Sequence, residues 1–144
     1  MAEKSSIYRV LDANLNRLRE ALRVIEEYYR FIDERPEVCD RLKKLRHALI
    51  EIETAAGRSR LLADRDVAGD CFASVNRPEE LDRTTLDELL AANFRRGQEA
   101  CRVIEEYAKI EGGAGLSEQA KTVRFVLYTL EKELLGGERE KEGR

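Results

Sequence analysis

A chain of 144 residues is long enough for one domain with a real core and too short for two comfortable ones. Apolar residues make up 42% and charged residues 38%, with two prolines and no tryptophan, a balance that fits a helical globular protein and excludes a disordered one. A net charge of −3, with no Lys/Arg block, argues against nucleic acid as a partner, and no apolar run approaches the roughly 18 residues of a membrane span.

The opening MAEKSSIYRV has no apolar run of signal-peptide length, which predicts a cytoplasmic protein. Ser5 or Ser6 is placed to cap a first helix running to about residue 33, with Leu11, Leu15, Leu18, Leu22, Ile25, Tyr29 and Ile32 at helical spacing. Asp33-Glu34-Arg35-Pro36 breaks it, and Pro36 suits the first turn of a second helix carrying Val38, Leu42, Leu45, Leu49 and Ile52 up to Gly57. So short a connection between long helices makes an antiparallel hairpin.

Residues 58–84 show little periodicity beyond a short turn opened by Pro78-Glu79-Glu80. Loops of that length in compact domains are usually functional or disordered. This one carries Arg58, Arg60, Arg65, Arg77 and Arg83 with no lysine, beside Asp64, Asp66 and Asp70. Arginine alone points to fixed, forked contacts with carboxylate or phosphate. Thr85 and Glu88 form a capping box for a third helix that continues to Gly112-Gly113, and Ser117 is read as the cap of a fourth carrying Val123, Leu127, Leu130 and Leu134. The tail 138–144 has no apolar anchor and is expected to be disordered.

The chain repeats itself. Residues 12–31 and 91–110 share the frame A-N-x-x-R-x-x-E-A-x-R-V-I-E-E-Y at an offset of 79, and residues 42–53 align with 120–131 at an offset of 78, setting Arg46 opposite Arg124 and Glu53 opposite Glu131. The repeating unit is therefore a hairpin, about 6–57 and 85–136. Two such hairpins predict an all-α fold, an antiparallel four-helix bundle in a single domain of residues 1–137, with a long functional loop between the repeats.

On a wheel of 100° per residue, Leu18, Ala21, Ile25, Tyr28 and Ile32 fall within about 40° of Asn14, so Asn14 faces the core with Arg17 at its border. Asn93, Arg96 and Glu99 repeat Asn14, Arg17 and Glu20. A buried amide without a partner costs about 1–3 kcal/mol. Either these side chains satisfy one another and set the register, or they line a cavity completed by an anionic ligand. Arg23, Glu26, Arg102 and Glu105 lie further from the apolar face and are assigned to solvated ion pairs. Tyr28 and Tyr107 are assigned to the core with their hydroxyls at the rim in preference to stacking on a base, and the single histidine, His47, to a packed slot matching Phe125 in preference to general-base work. Cys39, Cys71 and Cys101 are read as reduced thiols. The sequence contains no phosphate-binding glycine motif or calcium loop, and its helices carry E-x-x-R where di-iron bundles carry E-x-x-H.

The run from L-D-A-N-L-N-R through L-K-x-L-R-H at 42–47, R-D-x-x-G-D at 65–70, Arg83 and A-N-F-R-R-x-Q-E-A-C-R-V-I-E-E-Y resembles, over about residues 7–135, the hydroxymethylpyrimidine-phosphate kinase domain found alone or N-terminal to bacterial thiamine-phosphate synthases. The resemblance implies ATP- and Mg²⁺-dependent phosphorylation of 4-amino-5-hydroxymethyl-2-methylpyrimidine phosphate to the diphosphate used in thiamine assembly. On that reading Arg17, Arg65, Arg83 and Arg96 clamp phosphates, Asp66 and Asp70 hold Mg²⁺, Asn14 or Asn93 reads the pyrimidine edge, and Glu20 or Glu99 orients the attacking hydroxyl. The main rival is a non-catalytic helical module that docks on thiamine-phosphate synthase or forms a homo-oligomer through its helix faces. A helical mutase binding a dicarboxylate through arginines ranks third.

Overall fold

The computed structural model describes residues 2–74 and 83–137. Arg77, the Pro78-Glu79-Glu80 turn and the tail 138–144 lie outside the described residues. The chain forms α1 (Ala2–Glu27), which ends in a π-helical turn at Tyr28–Ile32, then α2 (Pro36–Ala56), a short α3 (Arg58–Ala63), α4 (Leu86–Ala108) and α5 (Ala114–Leu135). Among the described residues there is no strand, and no helix is long and apolar enough to cross a membrane.

Several boundary devices act where the local chemistry puts them. Pro36 opens α2, and Gly57 closes it at φ 96°. The Thr85 hydroxyl accepts the Glu88 N–H at 3.0 Å, while the Glu88 carboxylate accepts from the Thr84 hydroxyl and from the Thr84 N–H at 2.8 Å, which together hold that carboxyl below its ordinary range. Two serines do something else. Ser5 sits inside α1 and donates to Asp64 Oδ1 at 3.3 Å, and Ser117 sits inside α5 and donates to the Glu105 carbonyl at 2.9 Å, tying α5 to α4. Residues 58–63, expected as loop, form α3, which buries Leu61 against the bundle.

The π turn marks where the two repeats part in length. The Asp33 N–H reaches the Tyr28 carbonyl at 2.9 Å, five residues back, absorbing the one residue by which the first hairpin exceeds the second. This wider turn rotates the following residues off the 3.6-residue wheel, so Ile32, expected in the core, is exposed together with Phe31. The chain then turns at Glu34 (φ 48°). In the second hairpin, positive φ at Gly112 and Gly113 does that work, and the Gly113 N–H closes on the Ala108 carbonyl at 2.9 Å.

Ion pairs at the helix ends define the topology. Lys4 near the start of α1 meets Glu111 just past the end of α4 at 3.2 Å, and Arg41 of α2 meets Glu133 near the end of α5 at 2.6 Å, so these neighbours run antiparallel. The result is a four-helix bundle in which 57–85 joins opposite ends. Its core holds Leu11, Leu15, Leu18, Leu22 and Ile25 of α1, Leu42, Leu49 and Ile52 of α2, Leu90, Phe94 and Ile104 of α4, and Leu127 and Leu130 of α5. Where α1 and α4 cross, a Cβ on Gly97 would lie 3.1 Å from Leu127 and 3.6 Å from Leu18, its repeat mate, so only glycine allows this approach without displacement.

Two polar rungs cross each hairpin. Arg46 grips Glu26 through two bonds of 2.6 and 3.1 Å, and Arg124 grips Glu105 through two of 2.5 and 2.9 Å. One level along, Arg19 pairs with Glu53, and Gln98 donates to Glu131 at 2.7 Å. The expectation that Glu26 and Glu105 lie on a solvated face is corrected: they are only 6% and 3% exposed. The wheel referred them to the α1–α4 face, whereas the hairpin partner covers their flank. His47 is exposed on the outer side of α2, as Phe125 is on α5, so the packed slot expected for it does not form. The cysteines are free, and burial of Cys101 pushes its thiol up to about 12.

Replacing Arg124 with alanine removes both forked bonds to the buried Glu105 and leaves it only the exposed Arg102 at 3.6 Å. The expected loss is about 3 kcal/mol of unfolding free energy in a urea titration, against little change for Arg41→Ala at an exposed pair.

Candidate functional site

The segment after α2 is strapped across the first half of α1. Arg60 donates to Asp64 Oδ2 at 2.5 Å and lies 4.6 Å over the Tyr8 ring, and Asp64 also receives the Ser5 hydroxyl. Arg65 then grips Asp12 through two bonds of 2.7 and 2.8 Å, while Arg9 donates to the Asp66 carbonyl at 3.1 Å. Asp12 is 6% exposed, so this pair is the strap's deepest anchor, and its hydrogen bonds hold the Arg65 guanidinium further above its ordinary value.

This geometry explains the R-D-x-x-G-D element. Arg65 anchors the strap to α1. Asp66 folds back to accept the Gly69 N–H at 2.8 Å, and a Cβ at Gly69 would collide with that carboxylate. Asp70 accepts the Phe72 N–H at 3.0 Å. Arg–Asp and Gly–Asp are therefore two successive folding instructions, with Asp66 and Asp70 exposed and each holding a backbone N–H two or three residues on.

A cavity of about 640 Å³ opens between the strap, the first half of α1 and the end of α4. Arg9, Arg17, Arg65, Asp66 and Asp70 bring charge to its lining, and Val10, Ala13, Val103 and Tyr107 bring an apolar wall. Asn14 lies between them. It is buried, donates to the Val10 carbonyl at 2.9 Å and accepts from Arg17 at 3.3 Å, so its amide is satisfied within α1 while it steadies Arg17. Because Asp12 is engaged by Arg65, Arg9 and Arg17 stand in the cavity without a carboxylate partner among the described residues.

Five of the expected site residues thus come together: Asn14, Arg17, Arg65, Asp66 and Asp70. The others lie elsewhere. Arg96 pairs with Glu20 at 2.8 Å on the exposed seam between α1 and α4, and Glu99 is also exposed. Asn93 donates to the Leu89 carbonyl at 2.9 Å, and Arg83 is exposed just before the Thr84–Glu88 cap. Sequence reasoning missed Arg9 and Asp12 in the lining, and placed Tyr107 in the core ahead of a base-stacking role. Arg9 and Asp12 had a readable signal, because their repeat mates are Glu88 and Ala91, a change of chemistry flanking an otherwise shared frame.

The arrangement offers unpaired guanidinium groups to an anion, with two carboxylates nearby. No group of three or more His, Cys, Asp or Glu side chains able to hold a metal forms among the described residues, so a divalent cation at Asp66 and Asp70 would draw its remaining ligands from water and a bound phosphate, as Mg²⁺ commonly does. Carboxylate oxygens are the donor type that ion takes.

Residues 9–133 match the model of the ThiD2 family. The chain is 40% identical over 133 residues to a thiamine-phosphate synthase of Nostoc punctiforme and 44% identical over 133 residues to one of Thermosynechococcus vestitus, in each case over 92% of the chain and 36% of the relative. A thiamine-phosphate synthase of Rhodopirellula baltica is 35% identical over 92% of the chain and 35% of its own length. The chain therefore spans roughly a third of the length of these curated relatives. No solved structure matches.

Asp12→Ala is expected to release the strap while the four long helices persist. Amide exchange of residues 64–74 would rise about tenfold or more, with the α4 and α5 amides unaffected. Unchanged exchange in 64–74 would show that Arg65–Asp12 is not the anchor.

Proposed function

The chain belongs to the ThiD2 family, and from that premise we propose that it transfers the terminal phosphoryl group of ATP to 4-amino-5-hydroxymethyl-2-methylpyrimidine phosphate, giving the diphosphate and ADP. That its relatives are thiamine-phosphate synthases supports placing the reaction in thiamine assembly. The observation that carries the proposal is the pair Arg9 and Arg17, free of carboxylate partners, beside Asp66 and Asp70 in one cavity.

Phosphoryl transfer asks a protein for positioning and charge neutralisation rather than covalent chemistry. Arg9 and Arg17 would bind phosphate oxygens. Arg65 acts one step removed, holding the strap through Asp12 so that Asp66 and Asp70 face the cavity. Those two carboxylates would hold Mg²⁺, which, when bound with ATP, neutralises phosphate charge. The acceptor is a phosphate oxygen, already largely ionised at neutral pH because the second pKa of a phosphate monoester is about 6. No general base is required, so the reaction does not need Glu20 or Glu99, which stand outside the cavity.

Incubating the protein with ATP, Mg²⁺ and the pyrimidine monophosphate should yield pyrimidine diphosphate and ADP in equal amounts. Arg17→Ala should lower kcat/KM by about 10²–10³ with an unchanged melting temperature, the range seen when one charge-stabilising donor is removed. Arg96→Ala, which breaks only an exposed pair, should turn over normally. No product above background, with no thermal stabilisation by either substrate, would favour a module that docks on thiamine-phosphate synthase instead.

A further inference from the structure

The duplication places a tyrosine at the same point of both repeats, and the fold treats the two differently. Tyr28 is 8% exposed and packs edge-on against Tyr29 with ring centroids 4.8 Å apart. Tyr107 is 40% exposed and lines the cavity. The assignment of both to the core therefore holds for Tyr28 and is corrected for Tyr107. Leaving two fifths of a large aromatic residue open to water forgoes a substantial share of the stabilisation that burying it would bring.

The surroundings of Tyr107 say what that ring faces. Val103, one turn earlier on α4, and Val10 and Ala13 of α1 continue an apolar wall from it. The charged lining comes from the strap, which brings Arg65, Asp66 and Asp70, and from Arg9 and Arg17 of α1. One cavity thus joins a flat apolar surface to a cationic and carboxylate-bearing surface. A simple anion would use only the second, and a hydrocarbon only the first. A flat ring bearing phosphate uses both.

We infer that Tyr107 is the stacking platform for the heterocyclic ring of the phosphate-bearing ligand. The ligand's identity rests on the reading above, whereas the platform itself is tested independently of turnover. Both the aminopyrimidine and the adenine of ATP present such a ring. Stacking of a base on an aromatic side chain tolerates different bases because each offers a π face, so the experiment separates the two sources.

The protein contains no tryptophan, so Tyr107→Trp introduces a single fluorescent reporter at the platform. Titration with the pyrimidine monophosphate and, separately, with ADP should quench it, and whichever ring quenches identifies the source. Inorganic pyrophosphate should bind without quenching. Tyr107→Ala should weaken binding of that same ligand by about ten- to a hundredfold in equilibrium dialysis, with an unchanged melting temperature, and Tyr107→Trp should restore it. If neither ring quenches the reporter while the unsubstituted protein forms diphosphate, the platform is wrong and the kinase reading survives. Quenching without any turnover keeps the platform and removes the kinase reading. A loss of binding in Tyr107→Ala that tracks a lowered melting temperature would make Tyr107 a packing residue and overturn the inference.

Discussion

A buried carboxylate gripped at two points by an arginine from the next helix is the constraint on which this protein depends, and it occurs twice. Taking Glu26 and Glu105 out of water costs several kcal/mol each, and only a fork aligned to within a fraction of an ångström offsets it. Each pair therefore admits one register of its hairpin. Arg19–Glu53 and Gln98–Glu131 repeat the constraint one level further along. With both hairpins locked, the α1 and α4 faces present Leu18 and Gly97 to each other, and the bundle closes around that crossing.

On this symmetric frame the two copies have taken different work. The second keeps its polar frame occupied: Asn93 bonds to its own helix, Arg96 is held by Glu20, and Glu88 serves the helix cap. The first has Arg9 and Asp12 at the matching places, which lets the segment after α2 strap over it and enclose a cavity. A strap of this kind has no counterpart anchor at Ala91. One substitution between repeats, Asp12 against Ala91, thus determines which half can carry the site.

Much of the fold was legible because it is written in local chemistry. Pro36, Gly57 and the Thr85–Glu88 box stop and start helices through backbone groups within one turn, and apolar spacing picks out the residues that the core holds. The errors share a cause. Ser5 and Ser117 carry a cap's functional group, yet their hydroxyls bond to Asp64, 59 residues away, and to the Glu105 carbonyl, 12 away. Glu26 and Glu105 were assigned to solvent because a wheel knows one interface, and a helix in a bundle has two. Arg65 was read as a phosphate clamp because forked recognition of phosphate and of carboxylate uses the same side chain.

By itself the sequence determined the all-α hairpin repeat, the family resemblance, and the residue types from which a phosphate site could be built. These are encoded in spacing and residue identity, which do not depend on what lies across the bundle. Only the tertiary structure decided that Asn14, Arg17, Arg65, Asp66 and Asp70 meet while Asn93, Arg96, Glu20 and Glu99 do not, and that Tyr107 opens to a cavity while its twin is buried. A frame repeated in sequence is symmetric on paper. Its symmetry is broken in space by a strap that packs on the first copy, because that copy offers Asp12 to Arg65 where the second has Ala91.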